Sequence, residues 1–332
     1  MKAGNTLRFM ASIRRKEDAP EFGFGNSTNN AHQRALNPDG TANIARIGEK
    51  KFNPINIYHA LVTMTWRKFF FIAFISYAMV NLFFATIYYL VDPNGLSGMI
   101  YTTEGQKFEE IFFFSAQSLT TVGYGRLNPT GTFNSSLAAI ESFIGLLGFA
   151  LATGLLYGKF SRPTAKLLYS KNILIAPYSN PRVSDQAKTA LMFRITNERS
   201  NQLIEVESQI LFSYNEEVNG KILRRFQRLK LEVEKISFLA MSWTIVHPID
   251  DESPLKGLTN DDFESVDAEF LINIKAIDDT YVQQVYARSS YKWNDTIWDA
   301  KFVSIITQDE DGRTAIDLRK ISSYELVNNQ SV

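Results

Sequence analysis

Two long apolar runs divide the chain. The first, Phe69–Val91 (FFFIAFISYAMVNLFFATIYYLV), carries no charge, and the second, residues 133–160, carries only Glu141 and Lys159. A helix needs roughly 20 apolar residues to cross a hydrocarbon core, so the pattern predicts transmembrane helices over 69–91 and 134–160. Neither run is N-terminal or built like a cleavable signal segment. Between them, Lys107–Leu119 (KFEEIFFFSAQSL) predicts a short helix over 108–119, with Glu109 and Glu110 in the first turn at the positive end of its dipole. The plainer alternative is a surface amphipathic helix. Non-helical backbone at membrane depth must be buried in protein or line water, so the segment 92–132 is expected to be re-entrant. Before the first span, Pro54–Trp66 (PINIYHALVTMTW) carries Ile57, Ala60, Leu61, Met64 and Thr65 along one side. That predicts an interfacial helix over 53–66 with Trp66 at headgroup level; the alternative is an extra turn of the span.

Beyond residue 170 the period changes from helical to two. Ile204, Val206, Ser208, Ile210 and Phe212 alternate with Glu205, Glu207 and Gln209. Leu229, Leu231 and Val233 alternate with Lys230, Glu232 and Glu234, and Phe270, Ile272 and Ile274 repeat the pattern. Asn219-Gly220 and Asp311-Gly312 read as hairpin turns. Short strands with such punctuation predict an antiparallel, immunoglobulin-like β-sandwich over 170–332, and no Gly-rich nucleotide-binding fingerprint interrupts it. The organisation expected is therefore membrane α followed by all-β: an N-terminal cytoplasmic segment over 1–52, of which residues 1–30 are polar and expected to be flexible, a helix over 53–66, a two-span domain over 67–169 and the sandwich.

Composition adds little once the chain is read by segment. The whole is 45% hydrophobic and 21% charged with zero net charge, an average that hides the apolar middle. With no cysteine, disulfides and thiolate chemistry are excluded; the three histidines (His32, His59 and His247) are too scattered to hold a metal. No catalytic constellation accompanies the β-domain, so no enzyme activity, resident cofactor or nucleic-acid partner is expected. Basic residues orient the spans: Arg67 and Lys68 precede the first, while Lys159, Arg162, Lys166 and Lys171 follow the second. The loop carries Lys107 and Arg126 against Asp92, Glu104, Glu109 and Glu110, which puts both termini on the cytoplasmic side of the cell membrane.

Residues 120–125 read Thr120-Thr121-Val122-Gly123-Tyr124-Gly125. In isolation this is a tight turn between strands. Bracketed by two spans and led by a short helix, it resembles the T-V-G-Y-G filter of potassium channels, whose backbone carbonyls replace the hydration shell of the ion. The resemblance implies K⁺ at Thr121, Val122, Gly123 and Tyr124, with the glycines supplying positive φ. One chain offers one wall, so a homotetramer is implied. Further stretches carry a likeness to the inward-rectifier potassium channels, and within them to the prokaryotic KirBac branch. They are Asn37–Arg46 (NPDGTANIAR), Trp66-Arg67, Lys159–Pro163 (KFSRP), Phe193–Arg199 (FRITNER) and His247–Leu255 (HPIDDESPL). The absence of the cysteine pair that flanks the pore loop in eukaryotic members favours the bacterial branch.

That resemblance implies roles residue by residue. Tyr157, six residues before Pro163, falls where relatives close the helix bundle. Phe149, two turns higher, stands where strong rectifiers carry an acid, implying weak rectification; a voltage-gated activity is not expected. Gly154 matches a second-helix glycine, as a hinge or as close packing. Arg67, Lys68, Lys159, Arg162 and Lys166 are implied to bind anionic lipid headgroups, although topology alone explains basic residues there. Gln117 replaces a pore-helix glutamate, and Arg126 replaces an acid found in many bacterial members. Both changes raise a poorly selective cation pore as an alternative; a binding protein with a vestigial pore is another. Glu141, the only acid in the second span, is expected to support the filter or cavity, or else to be a satisfied structural acid.

Overall fold

A computed structural model describes residues 34–43, 54–162, 165–180, 187–308 and 310–327. The expectations for residues 1–30, for Pro163 and for residues 44–46 of the NPDGTANIAR stretch lie outside them. The chain divides into two compact units, one of residues 48–162 and the other of residues 1–47 with 163–332.

The first unit is mainly helical: α1 (Pro54–Thr63), α2 (Trp66–Val91), α3 (Glu104–Leu119) and α4 (Gly131–Phe160), with the short antiparallel pair β1 (Leu96–Ser97) and β2 (Asn128–Pro129) between them. Thr65 is extended (φ −64°, ψ 151°) and separates α1 from α2, so α1 is an element of its own rather than an added turn. Both α2 and α4 are long and apolar enough to cross a membrane. Much of their apolar surface faces outward, Phe71 and Phe74 being 66% and 67% exposed, which a helix in the core of a soluble protein would not tolerate. α3 begins at Glu104, earlier than the expected 108. The cause is a capping box: Thr103 Oγ1 accepts the Gln106 N–H, and the Gln106 side chain accepts the Thr103 N–H. Glu104, not Glu109 or Glu110, is therefore the acid in the first turn. Phe84, Ala85, Tyr88, Leu96, Ile111, Phe114 and Leu127 form the core that holds α3 against α2.

The second unit stacks two five-stranded sheets. One sheet runs β11 (Gln283–Lys292), β10 (Glu269–Asp278), β6 (Leu203–Val218) and β7 (Lys221–Leu229), with β8 (Lys235–Phe238) also on β6. The other runs β12 (Thr296–Trp298), β4 (Ile173–Pro177), β5 (Thr189–Asn197) and β3 (Leu167–Tyr169), with β9 (Ser242–Ile249) on β5. All pairs within these sheets are antiparallel except β12 with β4. Phe193, Phe212, Phe263 and Phe270 are among the fully buried side chains between the sheets, each worth about 1.5–3 kcal/mol of burial. The β6–β7 hairpin turns on Asn219 and Gly220, both at positive φ (53° and 75°), which is the two-residue turn that matches strand twist. The strand expected over 229–234 stops at Leu229. Leu229 and Leu231 are buried, but Val233 is 44% exposed, because the chain is leaving β7 to cross towards β8.

Residues 34–43 belong to the same compact unit as the β-domain. Glu269 accepts hydrogen bonds from the Ala35 and Leu36 N–H groups, and Ser290 Oγ donates to the Leu36 carbonyl at 2.6 Å. Leu36 packs on Leu211 and Leu271.

The HPIDDESPL stretch forms a corner around a buried histidine. His247 Nδ1 lies 2.6 Å from the Lys230 carbonyl and so carries the proton; Nε2, 2.8 Å from Ser253 Oγ, accepts. Burial pushes the imidazole down to about 4, only partly opposed by the Lys230 carbonyl and Asp250. Between the ordinary 6.5 and 4 the unfolded chain binds a proton that the folded chain refuses. Stability is therefore full above pH 6.5 and falls as pH drops through that window, by about 3 kcal/mol at the bottom of it. Urea titrations of the full-length protein in detergent at pH 7.5 and pH 4.5 are expected to show this loss, and His247→Gln to remove most of it.

Candidate ion-conduction site

α3 ends in a turn that launches the filter strand. Thr120 N–H and Thr120 Oγ1 both donate to the Ala116 carbonyl, so this threonine closes the helix. Thr121 N–H donates to the Ser118 carbonyl and Val122 N–H to the Gln117 carbonyl at 3.0 Å. Beyond that point the backbone takes positive φ at every second residue: Thr121 (59°), Gly123 (53°) and Gly125 (83°). Alternating handedness turns successive peptide planes so that their carbonyls face one side, the requirement for a column of oxygens. Two of the three positions are glycine, as the sequence leads one to expect. The third is a β-branched threonine, where the strain is about 1–3 kcal/mol and has no sequence signal. Val122 and Tyr124 are 52% and 80% exposed on this rigid segment.

The outer side of the filter is pinned from within the chain. Asn128 Nδ2 donates to the Gly125 carbonyl at 2.9 Å. Arg126 donates to the Gly98 carbonyl at 3.2 Å and pairs with Glu110 on α3 at 2.5 Å. Arg126 thus ties the post-filter turn to the pore helix through Glu110, which the sequence offered only as an acid of that helix's first turn. Gln117, by contrast, makes no side-chain hydrogen bond within the described residues.

The inner side is held by α4. Glu141 is 0% exposed and receives hydrogen bonds from Ser115 of α3 and from Tyr88 of α2, the latter at 3.0 Å. The next residue, Ser142, donates through Oγ to the Ser118 carbonyl at 2.9 Å. At Gly145 a β-carbon would stand 1.8 Å from the Leu119 carbonyl oxygen, so the last turn of α3 rests directly on the α4 backbone. Gly154 has no atom within 4 Å of its would-be β-carbon, so close packing inside the chain does not account for it. Tyr88, Ser115, Ser142 and Gly145 are missing from the sequence reading; only the i, i+4 spacing of Glu141 and Gly145 could have hinted at a common face.

Tyr157 and Phe149 are 73% and 76% exposed on α4. Arg67, Lys68 and Arg162 are exposed and free of ion pairs among the described residues, and Lys166 approaches Glu198 at 3.7 Å. Lys159 is different. Its ammonium donates to the Val62 carbonyl at 3.2 Å and to the Met64 carbonyl, and lies 4.9 Å from the centre of the Trp66 ring. It closes the C-terminal end of α1 and docks that helix on α4.

Two membrane-length helices around a pore helix and a filter strand define a two-span, pore-loop ion channel with an all-β domain attached. Residues 76–161 match the family model described as "Ion channel", and residues 170–332 match "Inward rectifier potassium channel C-terminal domain". The chain is 35% identical over 289 residues to the inward rectifier potassium channel Kirbac3.1 of Paramagnetospirillum magnetotacticum, covering 86% of this chain and 94% of that one. It is 24% identical over 325 residues to the ATP-sensitive inward rectifier potassium channel 12 of Bos taurus, covering 87% and 72%. The chain belongs to the inward-rectifier potassium channel family and is of the prokaryotic, KirBac type. It is a membrane protein that conducts potassium, not an enzyme.

Proposed function

We propose that four copies close the pore around one axis, with Thr121, Val122, Gly123, Tyr124 and Gly125 of each forming a quarter of the filter. What carries this reading is the exposure of Val122 and Tyr124, apolar and aromatic side chains held outward by a backbone that is hydrogen-bonded at both ends of the filter. Such a wall is incomplete in one chain, and neighbouring copies would cover it. The tetramer spans the cell membrane twice per copy, with both termini cytoplasmic as the flanking basic residues direct. Tyr157 closes the inner end of the pore, and the apolar ring of Phe149 above it binds polyamines and Mg²⁺ weakly. Arg67, Lys68, Arg162 and Lys166 hold anionic headgroups. Lys159 leaves that set, since its charge is spent on α1.

The test is Rb⁺ uptake into liposomes driven by internal K⁺. Uptake stopped by Ba²⁺ and scarcely lowered by Na⁺ is expected, from a detergent-solubilised species with the mass of four chains. Strong Na⁺ competition would instead establish a poorly selective pore. Tyr157→Ala is expected to raise the uptake rate while leaving Na⁺ competition unchanged; an unaltered rate would remove Tyr157 from the gate.

A further inference from the structure

Glu141 is the one acid on α4, and its surroundings are complete within a single chain. Tyr88, Ser115, Asn81 and Glu141 are each 0% exposed, so no neighbouring copy is needed to bury them. One carboxylate oxygen accepts from Tyr88 and the other from Ser115. Ser115 Oγ also lies 3.2 Å from the Asn81 carbonyl oxygen and 3.3 Å from Asn81 Oδ1, and Asn81 Nδ2 donates to the Tyr77 carbonyl at 2.8 Å. No cation pairs with Glu141 among the described residues. A carboxylate buried in this way is costly and is retained only where its hydrogen bonds are good, so the geometry around it is stiff.

We propose that Glu141 is a positioning residue for ion selectivity: through Ser115 it fixes the axial position of the pore helix against both spans. This rests on the channel reading above and assigns a further element of it. The path to the filter is short. Ser115 lies one turn before Ser118, whose carbonyl receives both Ser142 Oγ and the Thr121 N–H. Val122 N–H is tied to the Gln117 carbonyl in the same turn. A shift of α3 along its axis therefore moves the first filter residues directly, and the Gln117 side chain has no hydrogen bond among the described residues to resist it. The two legs of the clamp have different duties. The Ser115 leg holds α3; the Tyr88 hydroxyl holds Glu141 to α2, while the Tyr88 ring packs edge-on against Phe114 of α3, a contact that phenylalanine would keep.

The test measures how much more K⁺ than Na⁺ raises the melting temperature of the full-length protein in detergent, since an ion that binds the folded filter stabilises it whether or not the gate is open. Na⁺ competition in the Rb⁺ uptake assay is the second readout. Ser115→Ala and Glu141→Met are expected to abolish most of the K⁺-over-Na⁺ difference and to lower the Na⁺ concentration for half-inhibition by about fivefold, as loss of a buried hydrogen bond allows. Ser115→Thr, which keeps the hydroxyl, should restore both readouts. Tyr88→Phe should lower the melting temperature in both salts and leave the difference between them intact. If Ser115→Ala behaves like Tyr88→Phe, losing stability but keeping the K⁺ preference, the clamp is ordinary packing and the proposal is wrong. A wild-type protein with neither K⁺-specific stabilisation nor Ba²⁺-sensitive uptake would overturn the channel reading itself, and the clamp with it.

Discussion

Gly145→Ala is expected to disable conduction, whereas Gly154→Ala, nine positions on in the same helix, is expected to be harmless to the fold. In an exposed helix interior, exchanging glycine for alanine stabilises by about 1 kcal/mol through backbone entropy. At Gly154 nothing opposes that gain within the chain, for no atom lies within 4 Å of the added carbon. At Gly145 the carbon would meet the Leu119 carbonyl oxygen at 1.8 Å and the Leu119 carbonyl carbon at 2.8 Å. Both are backbone atoms, one residue before the filter, and no rotamer change relieves the clash. Either α3 is displaced, carrying Thr121 and Val122 with it, or α4 bends away and breaks the Ser142–Ser118 contact. The overpacking cost is about 1–3 kcal/mol, enough to reverse the helix-propensity gain. Melting temperature and Rb⁺ uptake of the two variants side by side check the expectation. Equal behaviour of the two would mean that α3 does not rest on Gly145.

The second large effect lies in the β-domain. Arg224, on β7, is buried with two carboxylates: Asp267 at 3.2 Å and Glu269 at 3.2 Å. Its Nε also donates to Ser213 Oγ at 2.7 Å, and another guanidinium nitrogen donates to Asn215 Oδ1 at 3.0 Å. Lys292 completes the group, 2.9 Å from Asp267. Replacing Arg224 by leucine leaves Glu269, 0% exposed, with the N–H groups of residues 35 and 36 as its remaining hydrogen-bond donors among the described residues. Removing one member of a buried ion pair costs about 3–5 kcal/mol, because the remaining charge keeps its desolvation penalty. Arg224→Leu should therefore lower the unfolding free energy of the β-domain by that amount, read from urea titrations of the full-length protein by fluorescence of Trp243, Trp293 and Trp298. Glu269→Gln keeps an acceptor for the N-terminal segment and removes a charge, and its expected loss is smaller. A near-neutral Arg224→Leu would show that the network is satisfied by other means.

Much of this protein is determined by its sequence alone. The uncharged run Phe69–Val91 and its counterpart after residue 131 suit a bilayer, because each is long and apolar enough to cross one and the fold leaves most of its surface uncovered. The hexapeptide 120–125 fixes the chemistry of the site, since its oxygens are backbone oxygens and only the glycine spacing must be written in the sequence. Period-two alternation, with Asn219-Gly220 between strands, likewise dictates β6 and its hairpin partner. Helix starts and strand ends were less legible. Gly105 obscured the capping box of Thr103 and Gln106, and Leu229–Glu234 keeps a strand's alternation after the chain has left the sheet.

Tertiary structure decided what holds the filter in place. No pattern along the chain joins Glu141 to Ser115 and Tyr88, Gly145 to Leu119, or Arg126 to Glu110, because each contact brings together elements many residues apart. The same holds for Lys159, whose charge suggests a headgroup until the end of α1 is found against it. A sequence can specify which groups an ion needs, since those are local and repeat along the backbone. How rigidly they are held depends on which helices meet behind them, and that is settled only when the chain is packed.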